Sequence, residues 1–248
     1  EVILTGCRVG EIYHGGYSQL AKVKKEFLIK KPKNLSTKES MIIGTAGFTA
    51  LLCTFAVNAR EEILLGDKVN DVLVTGATGG VGTIAVMALS KLGYNVTAVT
   101  GKTENTELLK KLGAKNIINR SEFEGETKLL GKAMWDGVVD TVGGNILAHA
   151  ISQTKHSGIV AACGNAGGIK LNTNVMPFIL RGIKLWGIDS IQVSMKRREF
   201  VWSQVERLVD FKVLEEIVQV INMEELISTF PKMLKGQTSG RIVIDVNK

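Results

Sequence analysis

The chain has 248 residues, 45% hydrophobic and 22% charged, and its 31 Lys and Arg against 24 Asp and Glu give a net charge of +7. Such a composition supports a sizeable core and excludes a disordered or fibrous chain. The basic residues are spread out, with no arginine-rich or aromatic-interleaved tract, which argues against nucleic-acid binding.

The chain starts at Glu1, inside the apolar run Val2-Ile3-Leu4, and reads as a sequence whose true beginning is missing. Residues 1 to about 40 are expected to be β structure and turns, with strands over Val2–Thr5, Ser18–Val23 and Phe27–Ile29, closed by Pro32. Ser36 and Glu39 have the spacing of a capping box. The uncharged stretch Met41–Ala59 approaches membrane-spanning length, but its Gly, Thr and Asn interruptions favour a buried helix and no membrane. No signal peptide is visible.

From residue 69 onward strands and helices alternate. Strands are expected at Asp71–Thr75, Asn95–Thr100, Asn116–Asn119, Gly137–Thr141, Gly158–Cys163 and Ile183–Ile188. Helices fall between them, to Leu92, over Thr103–Leu112, near Ile146–Gln153 and near Pro177–Leu180. Lys91-Leu92-Gly93 and Lys111-Leu112-Gly113 are matching helix stops, a cation in the last turn and then a glycine. The pattern predicts an α/β fold with a Rossmann-type, doubly wound parallel sheet. After Ser190 a charged helix is expected over Lys196–Phe211. A strand at Ile217–Ile221, a helix near Met223–Leu234 and a final strand at Gly240–Val246 follow. This tail is expected to return to the β-rich start. The expected domains are therefore 41–190 for dinucleotide binding and a discontinuous second domain from 1–40 and 191–248.

The loop after the first strand of the sheet, Ala77-Thr78-Gly79-Gly80-Val81-Gly82, fits A-x-G-x-x-G. Such a loop lets pyrophosphate approach backbone amides at a helix N-terminus. Thr78, Gly79, Gly80 and Val81 are thus candidate cofactor residues. The end of the second strand separates NAD from NADP, because NAD enzymes place an acid there for the ribose hydroxyls. Here Thr100-Gly101-Lys102 offers a hydroxyl and a cation, which favours NADPH. Two further strand ends, Asp140-Thr141-Val142-Gly143-Gly144 and Cys163-Gly164-Asn165, are expected to face the nicotinamide, making Val142, Gly164 and Asn165 candidates.

The three cysteines, Cys7, Cys53 and Cys163, are isolated in sequence. The three histidines, His14, His149 and His156, do not cluster with them. They suggest no metal site and no disulfide framework, as in a reducing cytoplasm. Nothing near Cys163 in sequence activates it, so a buried, inert thiol is expected.

Together Gly44-Thr45-Ala46-Gly47-Phe48-Thr49-Ala50, the Thr75–Gly82 loop, Asp140-Thr141-Val142-Gly143 and Ala162-Cys163-Gly164 resemble the medium-chain dehydrogenase/reductase superfamily, on its zinc-free quinone-reductase side. Met41–Ala50, Val175–Arg181 and Gly187-Ile188-Asp189-Ser190 resemble its acryloyl-CoA reductase family more closely, over essentially the whole chain. The resemblance implies that roughly the first 80 residues of the family are absent. It also implies that 1–40 and 191–248 are the remnant of a β-rich, GroES-like catalytic domain. By the same resemblance Thr100, Gly101 and Lys102 match a 2′-phosphate pocket, and Arg120 matches an arginine on the adenosine phosphate side. Leu171 and Gly187–Ser190 lie on the nicotinamide side, and Arg241 is a phosphate-binding candidate. Thr45 stands where zinc enzymes of the superfamily carry a cysteine ligand, so no metal is expected. Thr45 and Tyr13 are the nearest proton-donor candidates.

The implied activity is NADPH-dependent reduction of the C=C bond of a short α,β-unsaturated thioester such as acryloyl-CoA. Quinone reduction is the alternative, and a non-enzymatic NADPH-binding redox sensor the reading from another class. Arg181, Lys184, Lys196, Arg197 and Arg198 could meet CoA phosphates or form a solvated basic face. A homodimer is expected.

Overall fold

The structure, a computed structural model, describes residues 1–59 and 70–248. It divides into two compact units, Thr49–Ile188 and a discontinuous one formed by Glu1–Phe48 with Asp189–Lys248.

The unit Thr49–Ile188 is built on six strands: β3 (Asp71–Thr75), β4 (Asn95–Thr100), β5 (Ala114–Asn119), β6 (Trp135–Asp140), β7 (Thr154–Ala162) and β8 (Lys184–Gly187). All pair in parallel, in the order β5-β4-β3-β6-β7-β8. The order reverses beside β3, the topological switch point at which open α/β sheets bind ligands. The connecting helices are α2 (Gly80–Lys91), α3 (Thr106–Lys111), α4 (Gly144–Ser152) and α5 (Met176–Arg181). The central strands read as near-continuous apolar runs because helices cover both faces of the sheet. Leu73, Val99, Trp135, Val138, Leu147, Ile151, Val160 and Ile183 form one buried cluster. Gly93 (φ 90°) and Gly113 (φ 103°) take the left-handed turn expected of the two helix stops.

Helix α1 (Thr37–Val57) starts at the expected capping box: the Glu39 N–H donates to Ser36 Oγ at 3.1 Å and the Ser36 N–H to Glu39 Oε2 at 2.7 Å. It is broken at Gly44, which sits at φ 49° and ψ −154°. Its apolar window is 72% buried, the burial of a core helix.

In the discontinuous unit, β1 (Val2–Ile3) pairs antiparallel with β2 (Ile29–Lys30). Residues expected as a strand over Ser18–Val23 are irregular, and Lys25–Phe27 is a 3₁₀ turn. The tail shares a unit with the opening residues, as expected, but among the described residues its final strand does not pair with β1 or β2. β10 (Arg241–Asp245) pairs in parallel with β9 (Val218–Asn222). Between them lies α9 (Glu225–Leu234). The single charged helix expected over Lys196–Phe211 is three pieces, α6 (Met195–Ser203), α7 (Val205–Leu208) and α8 (Phe211–Glu215). Asp210 starts the last piece by accepting from the Lys212 N–H, an N-cap where the expected helix was to end.

Arg198 of α6 is 1% exposed. It donates to Thr5 Oγ1 and to the Ser190 and Ile191 carbonyls, and its guanidinium lies 4.7 Å from the Phe48 ring centroid. Desolvation lowers its pKa. It is therefore an internal brace and not part of a solvated basic face. Arg181 is likewise spent inside its own unit, on the Ser152, Thr154 and Gly131 carbonyls.

The amino ends of β3 and β6 are held by an ionic triad. Lys155 Nζ stands 2.8 Å from Asp71 Oδ2 and 3.0 Å from Asp136 Oδ2. The Asn70 and Asp71 amides also donate to Asp136. Desolvation pushes the Asp136 carboxyl up, but the Asp71 amide, Lys155 and the Asn70 amide outweigh it and hold the carboxyl below its ordinary value. A depressed carboxylate pKa contributes stability above the unfolded-state value, about 3.9, and loses it as pH falls through the folded-state value. Asp136→Asn should therefore cost about 2 kcal/mol at neutral pH. Urea denaturation at pH 3 should show a smaller difference from the unsubstituted chain, whereas an equal difference would mean that the charge is not what matters.

Candidate functional site

The carboxyl ends of β3, β4, β6 and β7 carry most of the residues expected to bind a cofactor. β3 runs into the turn Gly76–Gly79 and then into α2. The Ala77 N–H donates to the Val99 carbonyl at 3.1 Å, anchoring the turn to β4. A Cβ at Gly82 would collide with the Gly76 carbonyl oxygen and come within 2.6 Å of Ala77 Cα. Only glycine lets α2 sit this close to the strand-to-helix turn.

The N-cap Gly79 provides no side-chain bond, and the first turn of α2 contains no acid. Its end is thus an uncapped set of amides with the positive end of the helix dipole, as phosphate recognition needs. Thr78, Gly79, Gly80 and Val81 all lie here. Thr78 is buried, and its hydroxyl is 3.1 Å from that of Thr100. The Thr100 hydroxyl also accepts from the Lys102 N–H at 3.0 Å. These two hydroxyls tie the phosphate turn to the end of β4.

Arg120 is brought to the same corner. A Cβ at Gly101 would meet Arg120 Nε at 2.7 Å and Cδ at 2.8 Å. The side chain of Arg120, an exposed residue, therefore packs on the glycine that precedes Lys102. The pairing could not be read from spacing, because Arg120 lies one βα unit further along.

The ends of β6 and β7 are joined by hydrogen bonds. The Gly167 N–H donates to the Val142 carbonyl at 2.7 Å, and Gly143 bridges Gly168. Gly164 lies so close to Thr141 that a Cβ would strike its carbonyl oxygen. Asn165 is exposed in this paired segment. Leu171 packs against the buried cluster beneath the sheet. Asp140 organises these turns. Its Oδ1 accepts from the Thr75 hydroxyl at 2.6 Å and its Oδ2 from the Gly143 N–H at 2.8 Å. Desolvation raises its pKa, partly offset by the Thr75 hydroxyl and the Gly143 and Val142 amides.

Thr45, Tyr13 and Arg241 belong to the discontinuous unit. Thr45 is exposed and directly follows the break at Gly44. Tyr13 stacks obliquely on Phe27 at 5.4 Å, with Lys24 Nζ 5.2 Å from its ring centroid. Arg241 Nε donates to the Ile42 carbonyl at 2.6 Å and Nη2 to that of Ile43 at 3.4 Å. Those donors hold the last carbonyls before the helix break.

A family model described as zinc-binding dehydrogenase matches residues 80–208. The acrylyl-CoA reductase AcuI of Ruegeria pomeroyi is 44% identical over all 248 residues, which cover 74% of that protein. A Bacillus subtilis protein named "Putative quinone oxidoreductase YhfP" is 42% identical over 98% of the chain and 74% of its own length. The crystal structure of YhfP with NAD bound superposes with a TM-score of 0.91. The yhdH oxidoreductase of Salmonella enterica, in complex with NADP, superposes with a TM-score of 0.93 at 41% identity, over 98% of this chain and 74% of that one. The family description mentions zinc, but the donor set here does not suit it. Among the described residues no three His, Cys, Asp or Glu side chains group as metal ligands, and a threonine hydroxyl at position 45 is a poor donor for zinc. The matched region and the full-length similarity show that the chain belongs to the zinc-binding dehydrogenase family, as an oxidoreductase of the medium-chain dehydrogenase/reductase superfamily in the group that includes AcuI and YhfP.

Proposed function

We propose that this chain belongs to an NADPH-dependent reductase acting on the C=C bond of a short α,β-unsaturated thioester such as acryloyl-CoA. One observation carries the cofactor reading: Arg120 packed on Gly101 beside Lys102, at a strand end where an NAD enzyme places an acid. Two cations there favour the 2′-phosphate that distinguishes NADPH. The amides at the start of α2 suit the pyrophosphate, and the joined turns after β6 and β7, with Val142, Gly164 and Asn165, suit the nicotinamide half. Bound NADPH supplies the hydride. The chain's own task is to orient the cofactor and keep water from it. Arg241 remains a phosphate-binding candidate only through its donors beyond Nε and Nη2.

The thioester acceptor rests on the identity to AcuI over the whole chain. Quinone reduction is the second reading, favoured by the comparable identity to YhfP. Spectrophotometric NADPH oxidation by the full-length protein separates them. Acryloyl-CoA should be consumed with a far higher kcat/KM than a quinone, and the reverse order would overturn the thioester assignment. NADPH binding without oxidation by either acceptor would support a sensor instead.

Lys102→Glu and Arg120→Glu should each raise the KM for NADPH about tenfold or more, roughly 1.4 kcal/mol. The KM for NADH should stay within about twofold of its original value, a shift of about 0.4 kcal/mol. Equal losses for both cofactors would remove the 2′-phosphate from the assignment.

We further propose a homodimer through the outer edge of β8. Among the described residues that strand pairs with β7 alone in the sheet, and its Leu185 and Trp186 are 37% and 40% exposed. A sheet edge with exposed apolar side chains invites pairing with a second copy. Sedimentation velocity should find a dimer that Trp186→Lys converts to monomer; a dimer unaffected by the substitution would place the interface elsewhere.

A further inference from the structure

Cys53 and Cys163 are 110 positions apart, but the fold brings their thiols together. The second half of α1 lies on the sheet, with the Val57 side chain packed on Gly137 of β6. Cys53, one helical turn earlier and fully buried, is near enough to Asp140 at the carboxyl end of that strand to feel its charge. Cys163 follows β7, whose Ala162 pairs with Asp140 of β6. The Cys163 N–H donates to the Asp140 carbonyl at 2.9 Å, and its Sγ lies 3.4 Å from the same oxygen. Both residues thus sit at the carboxyl end of β6, and Cys163 is the neighbour with the largest influence on the Cys53 thiol. Cys163 is partly exposed, whereas Cys53 has no exposure.

We propose that Cys53 and Cys163 form a hydroperoxide-sensitive thiol pair, in which Cys163 reacts with the oxidant and Cys53 resolves the product as an intramolecular disulfide. The asymmetry in access sets the roles. A small hydroperoxide reaches Cys163, while burial excludes it from Cys53. The neighbouring Cys163 thiol and desolvation both push the Cys53 thiol well above its ordinary pKa, so it stays protonated and inert toward the oxidant itself.

In the first step the Cys163 sulfur attacks the terminal peroxide oxygen. The O–O bond breaks, the sulfur is oxidised by two electrons to a sulfenic acid, and the remaining oxygen leaves as an alcohol, or as water when the oxidant is hydrogen peroxide. In the second step the Cys53 sulfur displaces the sulfenyl oxygen. The S–O bond breaks, the S–S bond forms, and the Cys53 proton departs with that oxygen as water. The sum is two thiols and one hydroperoxide giving one disulfide, one alcohol and one water. The disulfide would tie α1 to the start of the Gly164-Asn165 segment. A neighbouring thiol also protects Cys163, because a sulfenic acid resolved by it does not advance to the irreversible sulfinic acid.

Mass spectrometry of the full chain tests the pair independently of any enzymatic activity. The chain is treated with hydrogen peroxide, denatured and alkylated. Two of its three thiols should become unreactive together, with a peptide cross-link between Cys53 and Cys163 that dithiothreitol reverses, while Cys7 remains alkylated. In Cys53→Ser, dimedone should trap a sulfenic acid at Cys163; in Cys163→Ser, Cys53 should stay alkylatable. The cross-link in the unsubstituted chain needs no variant to fold. Three reactive thiols after peroxide, a dimedone adduct on Cys163 of the unsubstituted chain without the cross-link, or a disulfide through Cys7 would each overturn the proposal.

Discussion

A buried carboxyl group holds the ends of the sheet together. Asp140 ends β6, accepts a hydroxyl from β3 and an amide from its own following turn, and offers its carbonyl to the residue after β7. Burying a carboxylate without a cation is costly, and its raised pKa reflects that cost. What the arrangement provides is geometric. Three strand ends are fixed to one another where the phosphate turn and the joined glycine turns must present backbone to a ligand. The Thr141 hydroxyl, donating to the Thr75 carbonyl at 2.9 Å, adds a second tie between the same strands. The rigidity of the site thus comes from polar bonds beneath it and not from the residues that would touch the cofactor.

The parallel sheet was legible because its cause is local and repetitive. Apolar runs alternating with helical ones, two of which stop at a Lys-Leu-Gly sequence, leave few alternatives to a doubly wound sheet. The irregular stretch through Ser18–Val23 was not legible. Alternating polarity there resembles a strand, but a strand needs a partner, and none pairs with it among the described residues. The charged segment Lys196–Phe211 failed differently. Its helical periodicity is real, but it ignores Asp210, which caps a new helix, and the extended backbone at Val209.

The candidate site divides along the same line. Gly79, Gly82, Thr100 and Lys102 were recognisable because they follow one strand at fixed offsets. Arg120 came from family resemblance, and its packing on Gly101 depends on the parallel pairing of β4 with β5. Arg181 and Arg198 show the opposite error. A cation in sequence looks like a ligand for phosphate, yet Arg181 donates to three backbone carbonyls and Arg198 is buried on two carbonyls and the Thr5 hydroxyl. The thiol pair was invisible for a related reason, since no local pattern links residues 110 positions apart.

The two units differ in how the chain visits them. Thr49–Ile188 is one continuous stretch, whereas the other unit needs residues from both ends of the sequence. Arg241 closes it from the last strand by holding carbonyls of α1 nearly 200 positions earlier. During synthesis the parallel sheet can therefore assemble while the ribosome is still adding the tail, whereas the opening residues must wait for the final ones. Until then Ile42 and Ile43 lack the guanidinium that meets their carbonyls beside the break at Gly44. The order of synthesis places every strand of the parallel sheet before the arginine that holds the helix break.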